Sequence, residues 1–285
     1  MTTPAANYVY AFNGWLFGGP GQGVQVLKVE GLEDLPDLRS QDSDRGFADG
    51  MFSGNDFLAG RTITFTLQMM NDSAGTMATY LAQLKTNMQY QRNGTGLLQM
   101  MLPGRPVQRI NGRIRRRSIP LDPDYALGRT IATVQLFCPD PRIYDDAISA
   151  AMLLPGSNVG RVYNRVYPLV YTTVIGGTSG ALAFPNTGNV TVYPTFTISG
   201  AVSGPSILNQ ATGQYLKINA SLSATDVLVI DTDLRSITLN GNPARNLLDN
   251  ASQWFGFPPG STTVAIIADT NTSGSCVVAY RNGSV

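Results

Sequence analysis

The residues with the clearest potential for chemistry form one arginine cluster. Arg113, Arg115 and Arg117 alternate in the stretch RINGRIRRRS, which predicts that they share one face of a strand, with Ile114 and Arg116 on the other. Such a row could contact the phosphates of nucleic acid, pair with acidic residues of a neighbouring subunit, or form a solvated strand face. No aromatic residue interleaves with these arginines, so the sequence gives no support for base stacking.

Acidic residues occur in close pairs that could serve a glycosidase, which needs two carboxyl groups across a cleft. The surrounding sequence contains proline, tyrosine or threonine and is typical of solvated turns. Turns are therefore the better interpretation of all three pairs, Asp122/Asp124, Asp145/Asp146 and Asp231/Asp233.

The chain of 285 residues contains no histidine. This excludes Ser-His-Asp and Cys-His nucleophiles and most zinc sites. The two cysteines, Cys138 and Cys276, have no histidine partner and are predicted to be small buried hydrophobic residues. We therefore expect a protein that is not an enzyme and that uses no cofactor or metal.

A glycine-rich stretch, RGFADGMFSGNDFLAGRTITFTLQM, covers residues 45–69. It lacks the GxxxxGK[ST] pattern of a phosphate loop and the acidic register of an EF-hand. Turn chemistry is the favoured interpretation, with an ordered interface loop or an ion site as alternatives. If the stretch contacts another subunit, Arg45 and Asp49 are candidate interface residues, together with the arginine row.

Composition indicates extensive contacts with other chains. Hydrophobic residues make up 43% and charged residues 14% of the sequence, whereas a typical soluble domain is about 25% charged. No run approaches the roughly 20 apolar residues of a transmembrane helix, and the N-terminal sequence lacks the pattern of a secretory signal. We expect no membrane association and a low charge explained by subunit interfaces. The net charge of +1 favours neither nucleic acid nor an acidic partner.

Hydrophobic patterns predict a mainly β protein in two domains. The segment NDSAGTMATYLAQLKTNMQYQ predicts one helix, capped by Asp72 or Ser73, with an apolar stripe at helical spacing. Strands are predicted near residues 24–29, 62–69, 96–102, 110–119 and 131–137. From about residue 185 the chain reads as short strands separated by turns, typical of a sandwich. We place the domains at residues 1–155 and 156–285, the second including a connecting segment 156–185.

Aromatic residues in the second domain suggest a separate possibility. Tyr215, Trp254 and Phe255 look exposed, and aromatic platforms can hold sugar rings. Trp254 could equally cap the core. A carbohydrate-binding module that contacts the host cell wall is therefore the alternative function.

The stretch FCPDPRIYDDA, residues 137–147, predicts a rigid strand exit, because its two prolines force extended or turned backbone after the strand. Here the sequence resembles the distal tail proteins of long-tailed bacteriophages, especially those of actinobacterial phages. The resemblance rests on the order of several motifs over nearly the whole chain: FNGWLFGG, VQVLKVEGLEDLPDLR, DRGFADGMFSGNDFLAGRTITFTLQM, MLPGRPVQRINGRIRRR, VQLFCPDPRIYDD, NTGNVTVYPTFTISGAVSGPSI and LVIDTDLRSITLNG.

The resemblance implies a fold and a role. The first domain would be a β-sandwich or split barrel with one helix, closed by a motif that includes Phe137, Asp140, Pro141 and Tyr144. The second would be a galectin-like sandwich. A hexameric ring would join the tail tube to the tip or baseplate at the distal end of the virion tail, after synthesis in the host cytoplasm. Its partners would be the tail-tube, tape-measure and tail-associated hub proteins, and genome DNA would pass through the lumen only transiently.

Overall fold

The computed structural model describes residues 3–19, 21–72, 75–153, 156–157, 180–271 and 273–285. The chain divides into two compact units, Met1–Asp146 with Ser284–Val285, and Ala147–Gly283. The sequence analysis placed its boundary after residue 155. The difference arises because a strand at Ser149–Leu153 pairs within the second unit. Most of the connecting segment 156–185 lies outside the described residues.

The prediction of a mainly β protein is confirmed, and the five predicted strands of the first unit are all present. Further short strands were not predicted, because runs of two to four residues carry little periodicity. The elements of this unit are β1 (Val9–Phe12), β2 (Trp15–Phe17), β3 (Val24–Glu30), β4 (Leu38–Arg39), β5 (Ser43–Asp44), β6 (Met51–Phe52), β7 (Phe57–Leu58), β8 (Arg61–Met70), α1 (Met77–Asn87), β9 (Gly96–Met101), β10 (Gln108–Ser118), α2 (Pro123–Ala126), β11 (Arg129–Cys138) and β12 (Ile143–Asp145).

One antiparallel sheet in the order β2-β1-β9-β10-β11-β8-β3 forms the first unit, with β12 paired to β10. Its core follows from strand alternation. In β8 the apolar residues Ile63, Phe65, Leu67 and Met69 are buried, whereas the intervening threonines and glutamine are half-buried or exposed. The opposite face of this strand is therefore mainly polar, with Met70 at the end of the strand as its one large apolar side chain.

Helix α1 covers the apolar side of the sheet. Its buried residues include Met77, Tyr80, Leu81 and Leu84, as the predicted stripe requires. The predicted N-cap was wrong, because Thr76 caps the helix. Asp72 instead stabilises the preceding turn, where its carboxylate accepts hydrogen bonds from the Gly75 amide and the Tyr80 hydroxyl. The alternative cap, Ser73, lies outside the described residues.

The second unit contains only strands and one 3-10 helix among its described residues. They are β13 (Ser149–Leu153), β14 (Gly156–Ser157), β15 (Gly180–Asn186), β16 (Thr195–Ser199), β17 (Val202–Ser203), β18 (Ser206–Asn209), β19 (Tyr215–Lys217), β20 (Ser221–Leu222), β21 (Val227–Asp231), β22 (Ser236–Leu239), β23 (Asn242–Pro243), η1 (Arg245–Leu247), β24 (Gly260–Ala268), β25 (Thr270–Asn271), β26 (Ser275–Tyr280) and β27 (Gly283–Ser284), which leads back to the first unit.

Two sheets of the second unit pack face to face through aromatic side chains. One sheet runs β13-β26-β16-β21-β22-β23, and the other runs β14-β24-β18-β19 with β15 paired to β24. Phe184 of the second sheet lies 6.0 Å from Tyr280 of the first, and both contact Phe257. Asn186 is buried beside them and donates to the carbonyls of Val190 and Phe257 at 2.8 and 3.0 Å. The galectin-like description of this sandwich stays a prediction.

Candidate interaction surface

The glycine-rich stretch belongs to a hairpin that leaves the first sheet between β3 and β8. We call residues 35–60 the arm. Its two strands pair twice, β4 with β7 near the base and β5 with β6 near the tip. At the tip, the Arg45 amide donates to the Gly50 carbonyl at 3.3 Å, and Gly50 has a φ of 92°. Glycine suits this turn because side chains are strained at positive φ.

A second constraint lies between the two ladders. The Asp42 carboxylate accepts a hydrogen bond of 2.7 Å from the Gly54 amide, and this bond, assisted by Ser40, lowers the pKa of Asp42. A Cβ atom at Gly54 would lie 2.2 Å from the Gln41 carbonyl oxygen, a distance that real structures do not tolerate. Gly54 therefore allows the two strands to approach. The predicted turn is present at Gly50. Gly54 is needed for a different reason, the close approach of the two strands.

Apolar side chains on the arm face solvent. Every residue from 37 to 57 is exposed, so the arm contributes almost nothing to its own unit's core. Monomeric soluble proteins rarely expose large contiguous apolar patches, and such patches mark interaction sites. The large apolar residues, with their exposed fractions, are Leu35 66%, Leu38 50%, Phe47 109%, Met51 54%, Phe52 59% and Phe57 48%.

The base of the arm is fixed by a buried arginine that the sequence analysis did not single out. Arg61 is 2% exposed. Its guanidinium donates to the carbonyls of Gly31 at 3.0 Å, Leu32, and Asp34 at 2.8 Å, and to Pro141 at 3.0 Å. Burial lowers the pKa of Arg61. One side chain thus ties both ends of the arm to the strand exit after β11.

The predicted arrangement of the arginine row was wrong, because a bulge in β10 changes the alternation. Arg113 pairs with Phe137, but the register shifts between Ile114 and Arg116. Arg117 then pairs with Val134, a buried core residue. Paired residues share a face, so Arg117 lies on the helix side and Arg113 on the other.

Arg117 consequently has a different local role from Arg113 and Arg115. The Arg117 guanidinium donates to the Lys85 and Met88 carbonyls at 3.0 Å each, and so caps the C-terminal end of α1. Arg113 and Arg115 lie over the Phe137 ring at 5.9 and 5.0 Å. An aromatic partner is therefore present, supplied by the neighbouring strand and invisible in the local sequence. The use of these arginines in a subunit interface stays a prediction.

The strand exit is organised around Asp140. Its carboxylate accepts hydrogen bonds from the Arg142 amide at 3.1 Å and from the Tyr144 hydroxyl at 2.8 Å. Burial and the Asp140 charge raise the pKa of Tyr144. The Pro141 carbonyl accepts from Arg61. The exit is thus rigid in structural terms, and it immediately precedes the end of the first unit at Asp146.

Two of the three acidic pairs lie in a turn or at a helix start, as predicted, whereas Asp145 lies in β12 and its neighbour Asp146 pairs with Arg109 at 3.5 Å. Asp122 caps α2, a one-turn helix that was not predicted, and Asp124 pairs with Arg129 at 2.6 Å. Asp231 accepts from two amides of its turn. Over the described ranges, no group of acidic residues and cysteines could hold a metal ion, and neither helix has the length and apolar character needed to cross a membrane.

The proposed sugar platform is only partly exposed. Phe255 is 4% exposed and packs against Phe196, so its predicted exposure was wrong. Tyr215 and Trp254 are half-buried neighbours, joined through the Gln253 amide, which donates to the Tyr215 carbonyl. The Arg245 guanidinium lies 5.9 Å from the Trp254 ring and covers part of it. Carbohydrate binding stays a prediction.

An exposed apolar arm is typical of proteins that assemble with other chains. A family model described as the C-terminal domain of a siphovirus-type tail component matches residues 187–283. No curated protein sequence matches the chain.

Solved structures resemble the whole chain. The crystal structure of phage SPP1 Dit, described as a paradigm of the hub of the adsorption apparatus in phages that infect Gram-positive bacteria, aligns with a TM-score of 0.67 at 16% identity, covering 95% of this chain and 97% of that chain. A chain of the phage P2 baseplate in its activated conformation with Ca aligns at 0.49 and 9% identity, covering 95% and 97%. The same baseplate with Sr gives 0.48 and 10% over the same shares. The expected likeness to a phage distal tail protein is thus found in the fold of SPP1 Dit.

Proposed function

We propose that this chain is a structural component of a long-tailed phage tail, which forms a hexameric hub ring at the distal end and joins the tail tube to the tip or baseplate. One observation carries the proposal: the fold of SPP1 Dit extends over 95% of the chain at a TM-score of 0.67. The match of residues 187–283 to a siphovirus-type tail component adds an independent link to phage tails.

The arm supports a role in assembly. Obligate interfaces resemble a domain core cut in half and therefore leave apolar surface exposed on the isolated subunit. Phe47, Met51 and Phe52 are all more than half exposed on the arm. A ring requires a heterologous interface, in which one face of the subunit meets a different face of the next. A projecting element on one side of the unit suits such head-to-tail contact.

The proposed partners and location follow from the same role in tail assembly. The partners are further copies of the chain, the tail-tube protein, the tape-measure protein and the tail-associated hub protein, and the location is the distal end of the virion tail. Genome DNA passes through the lumen without stable binding. This fits a sequence with a net charge of only +1, since stable nucleic-acid binding favours a strongly basic surface.

The test is the oligomeric state of the purified chain. Mass photometry and analytical ultracentrifugation over a wide concentration range, alone and with the neighbouring tail proteins, should give a closed ring well above the 30.5 kDa chain mass. Negative-stain images of that species should average to six-fold symmetry. A chain that stays monomeric at all concentrations and joins none of the tail proteins would contradict the proposal.

The carbohydrate alternative has a direct test in the same protein. Binding of the full chain to host cell-wall fragments or a glycan array should be compared with that of Trp254→Ala. Because Arg245 already covers part of the Trp254 ring, we expect no binding that depends on this residue. Specific binding that Trp254→Ala abolishes would favour the alternative.

A further inference from the structure

The tip of the arm presents one aromatic side chain entirely to solvent. Phe47 lies in the turn between β5 and β6 and is 109% exposed. Its neighbour Phe52 is held under the Arg45 guanidinium at 5.0 Å, which fixes the flank of the tip. A large ring on a rigid turn is the form of an interface anchor, because aromatic side chains that fill a partner's pocket dominate binding energy. Phe47 therefore needs a pocket on another surface.

The same unit has an apolar groove beside the base of the arm, with a volume of about 340 Å³. It lies along β3, which is the last strand of its sheet. A bulge between Val26 and Lys28 turns Leu27 outward, where it is 52% exposed. This volume falls within the usual range of pockets that enclose ligands, roughly 300–1,000 Å³. The apolar lining comes from Tyr8, Tyr10, Val26, Leu27, Val29, Leu32 and Leu102.

A strained residue stands at the lip of this groove. Tyr8 has a φ of 62° and is 59% exposed. Bulky residues rarely adopt positive φ, and such strain clusters at functional sites, where the surrounding structure maintains it. The Tyr8 amide donates to the Met101 carbonyl at 2.9 Å, which helps to hold that conformation. In this conformation the Tyr8 ring is exposed beside the apolar groove.

The occupant of the groove is argued from the arm itself. The two ladders hold Phe47 away from its own groove, since the ring is fully exposed. A second copy supplies an identical tip, and the charges can pair by sign. Arg45 beside the ring would meet Asp34 at the rim. Two other rim charges, Glu33 and Lys28, already pair with Arg105 and Glu30 of the same chain. An inserting side chain and a receiving groove at different places on one chain also satisfy the head-to-tail geometry of a cyclic assembly.

We infer that Phe47 at the arm tip of one copy inserts into the β3 groove of the next, an inference that rests on the proposed ring. The groove and the tip together form a heterologous contact. Arg45 and Asp34 orient it, and the Phe47 ring provides its anchor. Because aromatic anchors typically raise the dissociation constant by roughly 30-fold or more when truncated, Phe47→Ser should weaken self-association by at least that factor.

The experiment uses inter-chain disulfide formation in the full-length protein. Ala48→Cys, which keeps the Phe47 ring, and Leu27→Cys are made in separate chains and mixed under mild oxidation, with each variant alone as a control. The native Cys138 and Cys276 are fully buried and give little background. In parallel, the association of Phe47→Ser is compared with that of Tyr90→Ser, a matched change at a ring that is 77% exposed outside the arm.

Three outcomes are distinguishable. A species of twice the chain mass that forms mainly in the mixture, with association weakened by Phe47→Ser and not by Tyr90→Ser, supports the inference. Rings that assemble without this cross-link, or that tolerate Phe47→Ser, overturn the inference and leave the proposed function standing. A chain that never self-associates, even with its tail neighbours, overturns both.

Discussion

Replacing Arg61 with methionine should destabilise the first unit. The substitution keeps an apolar stem of similar length and removes the guanidinium. Four backbone carbonyls, those of Gly31, Leu32, Asp34 and Pro141, lose their donor. Leu32 is 5% exposed, so water cannot easily replace the lost bond to its carbonyl, whereas Asp34 is exposed and its carbonyl can be rehydrated.

The expected change in the free energy of unfolding is the balance of two opposing contributions. A hydrogen bond to a charged group contributes about 1.5–3 kcal/mol, and an unsatisfied buried carbonyl costs about 1–3 kcal/mol. Removing the buried cation offsets part of this loss, because burial disfavours the charge, as the lowered pKa of Arg61 indicates. We expect a net loss of about 3 kcal/mol in the free energy of unfolding. For a unit of this size that corresponds to a fall in Tm of roughly 6–12 °C.

Differential scanning calorimetry can assign the loss to one unit. The transition of the first unit should move down, and the transition of the second should stay in place. Hydrogen exchange should accelerate at Gly31–Asp34, the segment that loses its donor. Arg116→Met is the matched control, since Arg116 is exposed on β10 and should change stability by less than about 0.5 kcal/mol. A loss below about 1 kcal/mol in Arg61→Met, or an equal loss in both variants, would refute the reasoning.

Three further predictions concern the arm and the second unit. Gly54→Ala should abolish self-association with little change in Tm, because its Cβ would collide with backbone in the arm, whereas Gly46→Ala has open space and should behave like wild type in ultracentrifugation. Burial raises the pKa of Cys276 from 9.0 to about 12, so the native state holds this proton more tightly than the unfolded chain does. The resulting stabilisation is complete below pH 9 and is lost as the pH rises toward 12; urea titrations of Cys276→Ala should therefore show a shallower decline across this window, by up to about 1.4 kcal/mol per pH unit. Asn186→Ala should cost the second unit about 2–3 kcal/mol, because a buried carbonyl loses its donor; the exposed Asn250→Ala should cost almost nothing by the same calorimetry.

Strand periodicity carried most of the prediction for the first unit. The alternation in β8 predicted which residues are buried, because one face of that strand meets the core along its whole length. The helix was equally clear, since its apolar residues recur at helical spacing. Its N-cap was missed because several residues before it can accept hydrogen bonds, and only the path of the turn selects Thr76.

The arginine row shows why local spacing was insufficient. A single extra residue in β10 reverses the side to which Arg117 points, and bulges leave no reliable mark in the sequence. The aromatic ring beneath Arg113 and Arg115 belongs to β11. Contacts between strands depend on register, which the sequence of one strand does not contain.

Arg61 could not be found from composition or motif. Its four acceptors are backbone carbonyls, which every residue type supplies, and they come from segments as far as 80 positions away. The apolar residues of the arm were visible in the sequence, but their exposure was not. Phe52 and Phe57 lie among short strands, where an apolar residue usually indicates core. Only the structure distinguishes an apolar residue that packs inside the unit from one that is exposed on the arm.

The hydrogen bonds of Arg61 fix the base of the arm, so the arm can change in length without a change in the first unit. Both ends of the hairpin are tied to the same guanidinium, so residues added in matched pairs beyond Leu38 and Phe57 would extend its reach by about 3.4 Å per pair and leave the core unchanged. Variation in reach could thus arise by small insertions in exposed sequence. In the proposed ring, the spacing of neighbouring subunits could change in evolution without any redesign of the sheet.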